Sequence, residues 1–123
     1  MAFGAAYTWP DGLQVSVSAP TPFTPSATST AKGAAAYLGF TVTIVNNTGA
    51  TYDPVLFHAS VQSGDKEADQ IFDTANGFTG TPNTAILNGR QSTFTIGFGV
   101  DNPNDVVMEV SPGLNYDKAY FTT

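Results

Sequence analysis

The sequence predicts an all-β chain folded as one antiparallel sandwich, and three observations carry that expectation. Charged residues are only 11% of the 123 residues, with Lys and Arg supplying 4 and Asp and Glu 10. Long charged helix formers are therefore scarce while Thr, Val, Phe and Gly are abundant, a bias toward strands. Apolar side chains also alternate with small or polar ones, most plainly where Phe94, Ile96, Phe98 and Val100 interleave with Thr95, Gly97 and Gly99. A period of two marks a strand with one face in a core. Finally, the alternating runs are short and recur about every ten residues between turn signals, the spacing of a sandwich. A chain this long buries roughly two-thirds of its unfolded surface, so a single domain spanning 1–123 is expected. With no cysteine, its core must hold without a disulfide.

Each element follows from local residues. After an N-terminal arm over residues 1–6, Tyr7-Thr8-Trp9 reads as a short strand ending in the Pro10-Asp11-Gly12 reversal. Leu13, Val15 and Val17 then alternate with Gln14, Ser16 and Ser18 until Pro20, Pro22 and Pro25 remove ladder donors. The Pro, Thr, Ser and Ala-rich stretch that follows reads as an edge excursion pinned by Phe23, then a mobile loop over about 24–35. The longest strand runs from Ala36 to Val45, with Leu38, Phe40, Val42 and Ile44 on one face, and Asn46-Asn47-Thr48-Gly49 turns the chain.

The second half continues the pattern. Tyr52-Asp53-Pro54 leads into a strand with Val55, Phe57, Ala59 and Val61 on one face and His58 on the other, closed by Ser63-Gly64-Asp65. Lys66 to Ile71 reads as a short helical turn or an acidic connection, and Phe72 to Phe78 returns through Asn76-Gly77. A loop over 79–87 precedes the Asn88-Gly89 turn and the long Phe94 to Val100 strand. Across Asp101-Asn102-Pro103-Asn104-Asp105, the residues Val106, Met108 and Val110 resume the alternation, and Ala119-Tyr120-Phe121 reads as a terminal strand. The total is seven to nine strands, an immunoglobulin-like sandwich without the cysteine pair.

The formal net charge of −6 argues against nucleic acid and anionic membranes, both of which are met by Lys and Arg. No stretch is long and apolar enough for membrane insertion. His58 is the only histidine, so any hydrolytic relay has to use it, and no Gly-x-Ser-x-Gly elbow accompanies it. Asp53 and Asp73 would serve glycoside chemistry only if the fold brought them together, and Asp73 reads first as a buried acceptor that ties down a turn. No residue is assigned to catalysis or to a cofactor. Calcium candidates are Asp101, Asn102, Asn104 and Asp105 at one sandwich end and Asp65, Glu67, Asp69 and Asp73 around a connection, against the alternative that Asp and Asn simply start turns. Asn46-Asn47-Thr48 matches a glycosylation sequon. Aromatic residues near strand ends supply interaction candidates: Phe3, Tyr7, Trp9, Phe23, Tyr116 and Tyr120, with Tyr37 and Tyr52 as further members of the set. They suit a sugar-stacking platform or a protein interface, and more readily the plugging of open sandwich ends.

Tyr7-Thr8-Trp9-Pro10-Asp11-Gly12-Leu13 followed by Val15, Val17, Pro20 and Phe23-Thr24-Pro25, with the later Asn46-Asn47-Thr48-Gly49, Ile71-Phe72-Asp73 and Leu87-Asn88-Gly89-Arg90, resembles the immunoglobulin-like domain that ends many secreted actinobacterial lipoproteins. The resemblance implies an extracytoplasmic sandwich used for display or binding, without enzymatic activity, and carries no functional residue. Read as a chain that starts at Met1 with no leader or lipid-bearing cysteine, the sequence points to a cytoplasmically made phage virion protein that decorates a capsid or tail. Its partners would be a capsid lattice and sister copies, met through the Phe3 to Ala6 arm and the Pro20 to Gly33 excursion. The alternatives are the ligand- or protein-binding outer domain of such a lipoprotein, at the cell surface or outside it, and a carbohydrate-binding module that meets surface glycans through an exposed Trp9 and the tyrosines.

Overall fold

The computed structural model describes Met1–Thr123 as two antiparallel sheets packed face to face. The strands are β1 Ala6–Thr8, β2 Leu13–Val17, β3 Thr21–Pro22, β4 Ala36–Asn46, β5 His58–Ser63, β6 Lys66–Glu67, β7 Asp69–Ile71, β8 Gln91–Val100, β9 Val106–Ser111 and β10 Ala119–Thr122. One sheet has the order β1-β2-β4-β8-β7 with β3 also on β4, and the other the order β10-β9-β5-β6. The count is ten because the sequence pattern does not register β3, β6 and β7, which are two, two and three residues long.

The alternation resolves as read. Leu13, Val15 and Val17, Leu38, Phe40, Val42 and Ile44, and Ile96, Phe98 and Val100 from the first sheet meet Val61, Val106, Met108, Val110 and Phe121 from the second in one core. Every one of these is buried. The Phe94 to Val100 run and the Val106 to Val110 run do share that core, but from opposite sheets. The turn between them carries the chain across the sandwich, held where the Ser63 hydroxyl donates to the Asn102 carbonyl (2.7 Å) and accepts from its amide (2.8 Å).

Two segments depart from the sequence reading. Between Tyr52 and Val61 the expected strand begins only at His58, because Asp53 accepts from the Val55 amide at 3.1 Å and starts a 3₁₀ turn over Pro54–Leu56. Proline at the first position of that turn brings its φ already fixed. Val55 is therefore thrown out to 68% exposure instead of facing the core. From Lys66 to Ile71 there is neither a helical turn nor a loop but two strands, β6 on β5 and β7 on β8, so the chain changes sheets at Ala68. Gly64 and Asp65, both at positive φ (58° and 63°), close the β5–β6 hairpin ahead of that step.

The outer face of the first sheet carries a small second cluster. Phe23 and Phe78 lie with ring centroids 4.4 Å apart, and Tyr37 is 5.9 Å from Phe23. They rest on glycines: a Cβ at Gly39 would come within 2.7 Å of the Phe78 ring, and one at Gly97 within 3.1 Å of Phe23. Glycine at alternate outward positions of β4 and β8 thus lets aromatic rings lie on the sheet backbone. The 24–35 segment has no strand, but it is tied down. Ser26 donates its amide and hydroxyl to Asp73, the Thr30 amide donates to the Phe72 carbonyl, and the Tyr37 hydroxyl accepts from Gly33 and Ala34.

Candidate functional site

The topology gathers four connections at one end of the sandwich: the β1–β2 turn, the 47–57 loop, the 84–90 loop and the β9–β10 loop over 112–118. Trp9 is the centre of that end. Its ring meets Tyr7 edge-on at 4.7 Å and Tyr116 edge-on at 5.8 Å, and its indole N–H donates to the Asp117 carbonyl at 2.8 Å. The Tyr116 hydroxyl in turn donates to Asp11 Oδ2 at 2.6 Å, so the β9–β10 loop is fastened to the β1–β2 turn at two points. Burial and the Asp11 carboxylate push the Tyr116 phenol up to about 12. Between these residues lies an open cleft of about 390 Å³ lined by Trp9, Pro10, Asp11, Asn115, Tyr116 and Asp117.

Beside the cleft is an apolar patch that sequence reasoning did not identify. Leu114 is 99% exposed, Leu56 57% and Val55 68%, all on adjacent loops. A Cβ at Gly113 would sit 3.6 Å from the Tyr116 ring and 3.7 Å from Leu56, so Leu56 and Tyr116 flank Gly113, with Leu114 projecting from the next position in the chain. The two loops are locked together beneath it where the buried Tyr52 hydroxyl donates to the Pro112 carbonyl at 2.7 Å. Burial raises the Tyr52 phenol well above its ordinary value. Leu87, 59% exposed, stands on the 84–90 loop that pairs with Tyr52 through Ile86. A signal was present in the sequence: Leu114 is a lone large aliphatic in the polar turn Ser111-Pro112-Gly113-Leu114-Asn115, where no core alternation calls for one.

The predicted site residues fare differently. Trp9 is buried at 3% exposure, so it is not the exposed stacking platform that a sugar-binding reading requires, and Tyr7 is half-buried against it. Phe3 is not on a free arm. Its ring packs on Phe40 (5.1 Å) and Phe121 (6.4 Å), while the Phe3 amide donates to Thr122 and the Gly4 amide to Val17. Phe23 belongs to the outer aromatic cluster. Tyr120 is exposed on β10, away from the loop end, over a shallow depression with Ser60 and Glu109.

The candidate chemistry disperses. No group of three or more His, Cys, Asp or Glu side chains is arranged to hold a metal ion. Of the calcium candidates, Asp101 faces Lys66 at 3.9 Å, Asn102 Oδ1 accepts from the Asn104 amide, and Asp105 is exposed, which is turn chemistry. Asp73 is buried and accepts from Ser26 and from Asn76, and the Ser26 hydrogen bonds hold its carboxyl below the usual range. It is not paired with Asp53, which caps the 3₁₀ turn. His58 and Ser60 share the rim of a shallow depression with Glu67 and Asp69, and no hydrogen bond links them. The sequon asparagine, Asn46, is fully buried. Its amide donates to the Ala50 and Ile86 carbonyls at 2.8 Å each and its oxygen accepts from Thr48, so it is a structural pin and not a glycan acceptor in the folded chain. No helix is long and apolar enough to cross a membrane.

Two packed antiparallel sheets with a loop-borne surface at one end make this an immunoglobulin-like β-sandwich. Solved structures of low identity share that fold. The secreted protein MPT63 of Mycobacterium tuberculosis matches over 100% of this chain and 95% of its own, with TM-score 0.70 and 17% identity. The Bacillus subtilis protein ycdA, named as a lipoprotein, matches over 90% of this chain with TM-score 0.72 and 15% identity, and this chain spans only 36% of its length. An uncharacterized β-sandwich protein of Clostridium difficile matches over 99% of this chain and 91% of its own, with TM-score 0.59 and 9% identity. No protein-family model and no curated protein sequence matches the chain.

Proposed function

We propose that this chain is an extracytoplasmic, non-enzymatic binding module that engages its target through the loop end built around Trp9 and Tyr116. The observation that carries the reading is the placement of Val55, Leu56 and Leu114 in water on loops that are rigidly fastened to one another. Large apolar side chains clustered in water at one end of an otherwise well-packed domain mark an interaction site. The secreted and lipoprotein sandwiches of similar shape support a place outside the cytoplasm, and they favour the binding-domain alternative over virion decoration. Asp53 and Asp73, the carboxylates considered for glycoside chemistry, are engaged in separate capping and turn bonds, which favours binding over chemistry.

Immunodetection in fractions of the native cells tests the reading. The protein is expected in the envelope or the culture medium. Recovery only from the cytosol, or co-sedimentation with phage particles, would overturn the extracytoplasmic assignment.

A further inference from the structure

Resting on the reading of the chain as a binding module, we infer that its loop end docks a protein partner whose contact surface has an apolar centre ringed by lysine or arginine. The apolar half of the match is exposed Val55, Leu56 and Leu114 on two adjoining loops, with Leu56 and the Tyr116 ring both flanking Gly113. The electrostatic half is the rim. Asp11 and Asp117 line the cleft on one side of Tyr116, and Asp53 begins the turn that presents Val55 and Leu56 on the other. Two basic side chains share this end: Lys118 is paired with Glu109 at 2.9 Å, and Arg90 stands by Leu87 on the 84–90 loop.

Charge selects among occupants. A second copy laid patch to patch would bring Asp11, Asp53 and Asp117 against their own kind, and like charges across an interface cost affinity and suppress that pairing. An anionic membrane is repelled by the same carboxylates and by the net charge of −6. A basic protein surface is attracted by them, and its apolar centre covers side chains that water otherwise solvates poorly. The cleft beside Tyr116 has room for one long cationic side chain, with aromatic surface for its stem and carboxylates for its head.

The probe is a random peptide display library panned on the intact domain, with counter-selection on a Leu56→Ser/Leu114→Ser variant. Both positions are exposed, so an unchanged unfolding midpoint should accompany that variant. Peptides combining Lys or Arg with large apolar residues are expected to be enriched. Their affinity should fall about tenfold or more on the double leucine variant. On Asp11→Asn/Asp117→Asn it should fall less and lose most of its salt dependence. Enrichment of neutral or acidic peptides, binding indifferent to both variants, or no enrichment over the counter-selected variant would each overturn the proposal. So would self-association in sedimentation equilibrium abolished by the leucine substitutions, or binding to vesicles of phosphatidylcholine and phosphatidylglycerol. These outcomes leave the fractionation result untouched, so failure of this inference is separable from failure of the extracytoplasmic reading.

Discussion

Replacing Gly39 with alanine tests whether the glycines of β4 and β8 exist to carry aromatic rings. The backbone at Gly39 is ordinary strand, so alanine meets no conformational penalty, and on that ground alone it should stabilise by about 0.5–1 kcal/mol. The new Cβ, however, would lie 2.7 Å from Phe78 Cζ and 2.9 Å from Cε1, inside any tolerable carbon–carbon contact. The ring cannot withdraw freely, because Phe78 is only 8% exposed and is packed against Phe23. Forcing an extra methyl into such a site typically costs about 1–3 kcal/mol. The steric term wins, and the net expectation is a destabilisation of about 1–2 kcal/mol. In a Phe78→Ala background the obstacle is gone, so the same Gly39→Ala change should become neutral or stabilising. Urea unfolding of the four proteins, with the slope checked for constancy, yields the coupling between the sites, expected near 2 kcal/mol. A Gly39→Ala protein as stable as the parent, or an identical penalty with and without the ring, would refute the claim that Phe78 is what requires glycine there.

Core and turn positions give further expectations. Phe98→Ala should cost about 3–5 kcal/mol and Phe94→Ala clearly less, since Phe98 is fully buried and Phe94 only partly, against Phe57; equal costs by urea unfolding would contradict that placement. Asn46→Ala removes the amide bonds to the Ala50 and Ile86 carbonyls and the acceptor of the Thr48 amide; the carbonyls keep the Thr48 hydroxyl and the Tyr52 amide as donors, so the cost should be about 1–3 kcal/mol in all, measured the same way. Tyr52 and Tyr116 both hold their protons more tightly folded than unfolded. Their contribution is therefore intact below pH 10 and is lost as pH rises toward 12 and beyond, so an alkaline melt of Tyr116→Phe should show a shallower decline than the parent. Asp73 has the opposite sign: its carboxyl is lowered, so its stabilisation is present above the unfolded value of 3.8 and disappears as pH falls through the folded one, and Asp73→Asn should flatten the acid limb of a stability–pH curve.

The sandwich was legible because its strands advertise themselves one side chain at a time. From Leu38 to Ile44 and from Phe94 to Val100 every second residue is apolar, and no other periodicity competes. Legibility fails where pattern and local chemistry disagree. Val55 and Phe57 continue the alternation of Ala59 and Val61, yet Asp53 and Pro54 impose a 3₁₀ turn, so that Val55 leaves the core while Phe57 stays in it. Between Lys66 and Ile71 the strands are two and three residues long, too short for alternation to register, and what defines them is pairing with β5 and β8, which are distant in sequence. The Phe3 arm and the 24–35 loop read as free segments because the bonds that hold them are long-range, from Thr122, Val17, Asp73 and Phe72.

The loop end shows why the proposed interaction surface was the hardest part to read. In the sequence Trp9 is one of several aromatics that read as an interaction platform or as end plugs, and the fold puts it in the second role, enclosed by Tyr7, Tyr116 and the Asp117 carbonyl. Its role is to fasten one loop to the next turn, so that Leu114 is presented from a fixed base instead of a floppy one. A rigid presentation lowers the entropy lost on docking, which is where loop-borne interfaces usually forfeit affinity. Trp9→Phe separates these roles: it keeps most of the buried ring but deletes the bond to Asp117. If the indole acts by positioning the loop, this substitution should weaken capture of basic-apolar peptides, although Trp9 itself, at 3% exposed, offers a ligand almost no surface. Peptide affinity unchanged in a Trp9→Phe protein of lowered stability would show that the indole bond supports the frame alone.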